Sequence, residues 1–433
     1  MKCIEDEIPF ELPDGWAWAR LGTIANIVTG RLDANAQSDG GEFPFFTCGE
    51  EVLRTDTFAF DCNAVLLGGN NAVGDFKMHK FSGRFNAYQR VYVISAYGNI
   101  ITDYLYNHIR YYLPRLQEQS IGSQTRYLKL GMVTDLLIAL PPITEQERIA
   151  NNANNLLSQC SCIDLSNRQI EKLIGDVKSR ILDLAIRGQL VPQNPDDEPA
   201  SVLLERIRSE KEELIRQGKI KRDKKESVIF RGEDNSYYLN DGTSTIDISE
   251  ELPFDIPDSW CWGRLKDIVM INPRNKLDDD TMVAFIPMPL IEDGYSGRHT
   301  SEVRKWKEVK TGFTHFQEGD VGVAKITPCF ENRKSAIFEN LCNGFGAGTT
   351  ELHVFRPYNG TILPQYLLAY MKSAQFVENG KQTFSGAVGQ QRLSKEYVEN
   401  AYFPIPPMEE QKRIVHQLGI VFKHLNSISD SLS

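Results

Sequence analysis

Apolar residues fall at alternating steps of four and three along one long stretch: Ile149, Ala153, Leu156, Cys160, Ile163, Asn167, Ile170, Ile174, Val177, Ile181 and Leu184. Ten of these eleven positions are apolar. That is the seam of a coiled coil, narrower than the apolar face of an ordinary core helix. Asn167 falls on an a position, where a polar side chain fixes register. The same phase returns at Ile414, Leu418, Val421, Leu425, Ile428 and Leu432. Two seams in one chain, each leaving a globular segment, predict an antiparallel pair. A helix over 145–187 would span roughly 65 Å at ~1.5 Å per residue, and the second has about half that length.

The pattern around these seams is different. Short runs rich in Val, Ile, Phe and Tyr, such as Ala64–Leu67, Arg90–Ile94, Asp320–Ile326 and Glu351–Phe355, predict strands. Gly-rich turns separate them, and the spacing predicts helices over 102–117 and 364–379. Gly188, Pro192, Pro195 and Pro199 break the long helix, and 201–217 read as helical again. Residues 206–231 carry ten Lys/Arg against five Asp/Glu. That stretch is either a solvated linker or a basic arm facing phosphates. The expected fold is mixed α/β (α+β), two globular α/β domains separated by an antiparallel coiled-coil helical spacer. The expected boundaries are 1–144 and 231–408 for the globular domains, 145–230 for the central helical spacer and 409–433 for the distal helix.

The chain also repeats itself. Residues 8–27 (IPFELPDGWAWARLGTIANI) and 252–271 (LPFDIPDSWCWGRLKDIVMI) share ten of twenty positions at an offset of 244. Residues 140–149 (LPPITEQERI) and 405–414 (IPPMEEQKRI) match at an offset of 265. An opening box therefore carries Pro-Asp-x-Trp-x-Trp-x-Arg-Leu, and a closing box carries Pro-Pro-x-x-Glu-Gln-x-Arg-Ile. Trp16 to Gln146 is 130 residues and Trp260 to Gln411 is 151. Like frames around unlike contents predict an internal pseudo-twofold, with one job applied to two different targets.

Composition adds little and excludes more. The length of 433 residues, 41% hydrophobic and 24% charged, suits a two- or three-domain globular protein. No run approaches the ~18 apolar residues of a membrane span, and the acidic start is unlike a signal peptide. Eight cysteines lie scattered without a Cys-x-x-Cys pair, as expected of reduced thiols in a cytoplasmic protein with no metal site. The net charge of −10 leaves room for local basic patches. Both Pro-Pro pairs lack the Asn or Asp that a methyltransferase loop needs. There is no Walker loop or dinucleotide-type glycine turn, so no catalytic residue and no cofactor are expected. Asp320 and Lys325 read better as a strand with its lead-in than as a nuclease cluster.

What remains are polar, basic, glycine-punctuated loops. Residues 68–90 offer Lys77, His79, Lys80, Arg84, Asn86, Gln89 and Arg90, interleaved with Phe76, Phe81, Phe85 and Tyr88. Residues 322–334 offer Lys325, Thr327, Asn332, Arg333 and Lys334. A second loop lies ahead of each closing box, with Gln124 and Arg126 in one copy and Gln390, Gln391 and Arg392 in the other. Gln pairs bidentately with adenine and Arg with guanine, so these types at these places suit base edges.

The two frame boxes, the spacer ILDLAIRGQLVPQNPDDEPASVLLERI at 181–207, GDVGVAKITPCFENRK at 319–334 and GQQRLSKEYV at 389–398 resemble the specificity subunits of type I restriction–modification systems. The resemblance covers essentially the whole chain. It implies a non-catalytic reader of double-stranded DNA whose two target recognition domains each read half of a split, asymmetric site. It also implies a helical spacer that sets the gap and docks two adenine-N6 methyltransferase subunits, with restriction/translocase subunits added for cleavage. The seam residues Ile149 to Ile181 and Ile414 to Leu425 would then serve pairing and partner docking. An alternative is a reader for a system in which methyltransferase and nuclease share one partner chain. A coiled-coil scaffold with no DNA role is more distant.

Overall fold

A computed structural model describes residues 7–33, 35–220, 222, 227–358, 360–387 and 391–432. The chain divides into two compact units, residues 1–166 and 167–433. Gln390, and Lys221, Lys224 and Lys225 of the basic stretch, lie outside the described residues.

Unit 1 opens with β1 (Ala17–Arg20), α1 (Leu21–Ile24) and β2 (Ala25–Thr29). Then come β3 (Phe43–Phe46), β4 (Val52–Thr55), β5 (Phe60–Gly68), β6 (Asn70–Asn71), β7 (Met78–Ala87) and β8 (Val91–Ala96). It closes with α2 (Thr102–Gln119), β9 (Arg126–Tyr127), α3 (Leu130–Thr134), β10 (Leu137–Leu140) and the start of α4 (Ile143–Ile186). Six strands form one sheet in the order β2-β8-β5-β7-β3-β4. Residues 64–68 of β5 are all buried, as a central strand covered on both faces must be. Helix α2 buries Tyr104, Leu105, Ile109, Tyr112 and Leu116, a single stripe at helical spacing, in the core of the unit.

Unit 2 continues α4 and adds α5 (Ala200–Arg216) and a three-stranded sheet of β11 (Val228–Arg231), β12 (Tyr237–Asn240) and β13 (Thr245–Asp247). The frame then repeats as β14 (Cys261–Arg264), α6 (Leu265–Ile268) and β15 (Val269–Ile271). Next are β16 (Met282–Ile286), β17 (Glu302–Lys305), α7 (Trp306–Val309), β18 (Thr314–Gln317), β19 (Val321–Ala324), β20 (Ser335–Ile337), β21 (Phe345–Gly348) and β22 (Leu352–Pro357). Last are α8 (Pro364–Lys372), α9 (Ala374–Lys381), α10 (Lys395–Asn400), β23 (Tyr402–Ile405) and α11 (Met408–Leu432). The sheet β15-β22-β19-β20 repeats β2-β8-β5-β7 strand for strand. The extra residues of this copy build a second sheet, β17-β16-β21-β18, where unit 1 extends its single sheet with β3 and β4.

The repeated boxes are where each unit is closed. Strand β1 pairs antiparallel with β10 and β14 with β23, so Ala17 faces Leu140 and Cys261 faces Ile405. Trp16 Nε1–H donates to Glu145 Oε2 (3.1 Å), and Trp260 Nε1–H donates to Glu410 Oε2 (2.9 Å). The second tryptophans pack on their own Phe, Trp18 edge-on to Phe10 at 5.0 Å and Trp262 tilted against Phe254 at 5.1 Å. The box glutamines are buried and do a job that neither α2 nor α8 does for itself. Both helices start without a capping side chain, on Ile101 and Leu363. Gln146 Oε1 accepts from the Ile101 N–H (3.0 Å) and Gln411 Oε1 from the Leu363 N–H (2.9 Å). The two amide groups donate to the Pro141 carbonyl (2.9 Å) and the Pro406 carbonyl (3.2 Å). Each closing box thus ties its helix end to the helix that packs on the sheet.

The heptad seam is realised only in part. Helices α4 and α11 run antiparallel in unit 2, where Asn167 Nδ2–H donates to the Leu432 carbonyl (3.2 Å). Glu171 meets Ser429 (2.6 Å) and Lys178 meets Asn426 (2.6 Å). Where α4 meets α11 the tightly buried apolar positions are Ile174 on the seam, then Leu182, Ala185 and Ile186 beside it, with Ile414 and Leu418 on α11, whereas the expected seam residues Ile181 and Leu184 are half-buried. Against expectation, Leu156 is 62% and Ile163 58% exposed. Ile170 and Val177 are at the exposed edge. The α4–α11 pairing runs to Asn167, and before it Ile149 packs against the core that holds α2, with Asn107 donating to Asn154 (3.2 Å), while Leu156 and Ile163 lie between these two contacts. Ile174→Ala is therefore expected to cost about 2–4 kcal/mol, and Leu156→Ala under about 0.5 kcal/mol, in denaturant unfolding. Equal losses would contradict this division of the seam.

Candidate nucleic-acid interface

The candidate loops of each copy are laced into one surface by backbone hydrogen bonds. In unit 1, β5 runs into Gly69, whose N–H donates to the Arg90 carbonyl (2.7 Å) and whose carbonyl accepts from Leu128 (2.8 Å). A Cβ on Gly69 would stand 2.5 Å from the Arg90 oxygen, so this approach requires glycine. Strand β6 pairs with β9, and Ile121 and Tyr127 exchange both backbone bonds (3.1 and 2.9 Å).

Unit 2 repeats the lacing with different residues. The Lys325 N–H donates to the Glu351 carbonyl (2.9 Å), and the Lys325 carbonyl accepts from Leu393 (2.7 Å). Thr327 donates to the Gln391 carbonyl (3.0 Å), and Ser385 and Arg392 exchange backbone bonds (3.2 and 2.9 Å). Leu128 and Leu393, related by the offset of 265, are both 4% exposed and peg their loops to the core. In both copies the loop ahead of the closing box thus sits on the loop that leaves the central strand. Loops far apart in sequence become neighbours twice, by the same topology.

The side chains sort into three groups. Several cations already face carboxylates: Lys77 with Asp75 (2.8 Å), Lys80 with Asp103, Arg84 with Asp61 (3.2 Å) and Arg392 with Glu351 (2.8 Å). The Arg392 guanidinium holds the Glu351 carboxyl below its ordinary range. Others point inward. Asn86 is 3% exposed, with its amide shared between the Thr57 carbonyl and hydroxyl (3.3 Å each), so the expectation that it offers a donor to a ligand is withdrawn. His79 contacts the Gly49 carbonyl (3.0 Å). Arg333 donates to the Lys372 carbonyl (3.0 Å) and lies over Tyr295 (5.1 Å). The Lys334 side chain is 13% exposed near Asp293, which removes it as a free phosphate contact. Arg126 is half-buried. The third group is open. Gln124, Arg90 and Asn332 are exposed, Lys325 and Gln391 are partly so, and Arg90 and Lys325 form no ion pair among the described residues. Gln89, also exposed, is bonded to Asp33 (2.8 Å).

One residue in this region carried no sequence signal. Lys372, at the end of α8, is 2% exposed, and its Nζ donates to the carbonyls of Gly294 (2.6 Å) and Arg333 (2.9 Å). Gly294 N–H in turn donates to the Asn332 carbonyl (2.8 Å). The lysine pins the 328–334 loop to its neighbour. Burial, and then the nearby Arg333, push its pKa down to about 7. A free lysine titrates near 10.4, so between those values the unfolded chain holds the extra proton and stability rises with pH. A rise of the order of a few kcal/mol from pH 7 to about 10 is expected in the native chain and absent in Lys372→Met. Parallel stability–pH curves for the two proteins would remove this account.

The architecture is a duplicated scaffold presenting one loop surface on each copy. Residues 13–173 and 257–431 match the type I restriction modification DNA specificity domain, and the chain belongs to that family. The specificity subunits of the type I restriction enzymes EcoAI and EcoEI of Escherichia coli are each 46% identical, over 260 and 253 residues. Those stretches cover 60% and 58% of this chain but only 40% and 39% of the relatives' own length. The E. coli EcoDI specificity subunit is 28% identical over 430 residues, 98% of this chain and 85% of that protein. A solved chain from work on assembly and conformational transition of the type I R-M system covers 98% of this chain and 94% of its own length. It has a TM-score of 0.57 at 16% identity, a likeness of fold. No described helix is long and apolar enough to cross a membrane.

Proposed function

We propose that this chain is the DNA-reading, non-catalytic specificity subunit of a type I restriction–modification assembly. Each unit reads one half of a split target in double-stranded DNA through its laced loops. The helices α4 and α11 carry the docking surface for adenine-N6 methyltransferase subunits, with restriction/translocase subunits joining for cleavage. The recognition domains fall within 1–144 and 231–408. The observation that carries the reading is the doubled lacing of polar loops onto a common sheet topology, with different side chains on each copy. That is what two readers of different sequences require, because base edges are distinguished by side-chain type while the backbone frame only positions it. Gln124, Arg126, Gln391 and Arg392 supply the base-edge candidates.

The division of the cations makes the phosphate contacts specific. Arg90→Ala and Lys325→Ala should each weaken binding to all duplexes alike and flatten the salt slope by about one unit. Lys334→Ala should leave the slope nearly unchanged, because that ammonium already lies inward beside Asp293. Binding titrations of the assembled complex from low to moderate salt give the comparison. A slope that falls for Lys334→Ala but for neither of the others would reverse the assignment. The function itself is tested by sequencing N6-methyladenine in cells with and without the chain. Loss of a bipartite methylated motif is the expected outcome, and an unchanged methylome would refute it.

A further inference from the structure

In unit 2 a cleft of about 300 Å3 is lined both from the repeated sheet and from the added sheet β17-β16-β21-β18. The repeated sheet contributes Arg274, three residues past β15, and Lys325, the first residue past β19. The added sheet contributes Phe313 and Thr314 at the start of β18, and Thr350 follows its strand β21. Arg274 is set in place from both sides. Asn272 turns the chain out of β15 in a left-handed conformation (φ +52°), and its amide oxygen accepts from the Val354 N–H (3.0 Å). The Asn275 N–H donates to His315 Nδ1 (3.3 Å), and its amide donates to the Phe316 carbonyl (2.8 Å). Arg274 itself is exposed, and its Nη1–H donates to the Phe313 carbonyl (2.9 Å).

The charge in this cleft is uncompensated. Arg274 and Lys325 form no ion pair among the described residues, and no carboxylate is among the described residues that line it. Glu351, the acid next to Thr350, is turned to Arg392 (2.8 Å). Two buried histidines register the field. Burial and then Arg274 hold His315 below its usual range, and burial and then Lys325 push His353 down to about 4. A guanidinium, an ammonium and two threonine hydroxyls are donors that suit an anionic group made only of acceptors. A phosphodiester is such a group, whereas a base edge offers donors as well.

Unit 1 has no counterpart. Gly30 stands where Arg274 does, by the offset of 244, and Gly69 stands where Lys325 does, by the same two backbone bonds. A Cβ on Gly30 would lie 2.0 Å from the Ala87 carbonyl oxygen, and one on Gly69 would lie 2.5 Å from that of Arg90. Neither place can carry a side chain. We propose that the unit 2 cleft grips one backbone phosphate of the half-site that unit 2 reads, held by Arg274 and Lys325, and that unit 1 makes no equivalent grip. This inference rests on the DNA reading proposed above and adds to it Arg274 and a wall from the added sheet. A phosphate carries no sequence information but fixes register, so the grip sets how the laced loops of unit 2 approach the base edges.

The test uses the full chain assembled with its methyltransferase subunits and duplexes carrying its methylated motif. Single phosphates in and around each half-site are replaced one at a time by uncharged methylphosphonates. The half-site of unit 2 is the one left unchanged when residues 16–140 are exchanged. At one phosphate there, the replacement should weaken the native complex about fivefold and cost Arg274→Gln and Lys325→Ala complexes little more. Arg274→Gln keeps a donor for the Phe313 carbonyl, so its melting curve should match the native one. Arg274→Lys keeps the charge and should stay sensitive at that phosphate. Specific binding by the native complex with no phosphate of this behaviour, or with that phosphate in the other half-site, would overturn the cleft and leave the DNA-reading proposal standing. No specific binding by the native complex would overturn both.

Discussion

Replacing residues 16–140 with the matching stretch of another such reader is expected to change one half of the DNA target and leave the other half intact. The exchange is cleanly bounded. Ala17 and Leu140 face each other across the β1–β10 pair, so both cut points lie at one end of a single ladder. The residues that tie the inserted stretch to the helix behind it are supplied by the box motifs. Trp16 donates to Glu145, and Gln146 caps the Ile101 N–H. A donor with the same boxes brings its own loops on an equivalent frame. The lacing of Gly69 to Leu128 lies wholly inside the exchanged stretch, so the reading surface moves as one piece. The methylated motif of cells carrying the chimera is the readout. A change in both halves would mean that the copies do not read independently.

The second large effect is on folding. Gln411→Ala is expected to destabilise the chain by roughly 2–4 kcal/mol, an unusual cost for a polar residue. Gln411 is fully buried, and its loss strands the Leu363 N–H and the Pro406 carbonyl away from water. Burial without a partner is what makes such a loss expensive. Gln146→Ala should cost a similar amount, since Gln146 is 5% exposed and does the same for Ile101 and Pro141. Denaturant melts of both variants measure this. Losses under about 0.5 kcal/mol, the range of ordinary surface changes, would show that water serves these groups instead.

The repeat itself was legible because it is written in residues that cannot be exchanged freely. A tryptophan N–H needs its glutamate, and a helix start with no local cap needs its glutamine. Those pairs survive as identities at fixed offsets while the surrounding sequence drifts. The long helix was legible because a seam of period 3.5 is a property of the chain alone. The strands Ala64–Leu67 and Glu351–Phe355 were legible because central strands are short, apolar and branched.

How far the seam is covered was not legible. Leu156 and Ile174 sit on the same seam, yet Ile174 is buried where α4 pairs with α11 and Leu156 is 62% exposed. The candidate surface divides in the same way. Composition singled out Lys, Arg, Gln and Asn in these loops, and the lacing of the loops brought them together. Which cations stay free depended on neighbours remote in sequence: Glu351 reaches Arg392 and Asp103 reaches Lys80, while Arg90 and Lys325 form no ion pair among the described residues. Lys372 gave no sequence signal, since a lysine at a helix end ordinarily faces water and this one is enclosed by two loops folding over it. By itself the sequence determined the duplicated frame and the helix that leaves it, because periodicity and paired motifs are local or exactly repeated. The tertiary structure alone decided which side chains are free to act, because exposure and charge pairing are set by chain segments that meet only on folding.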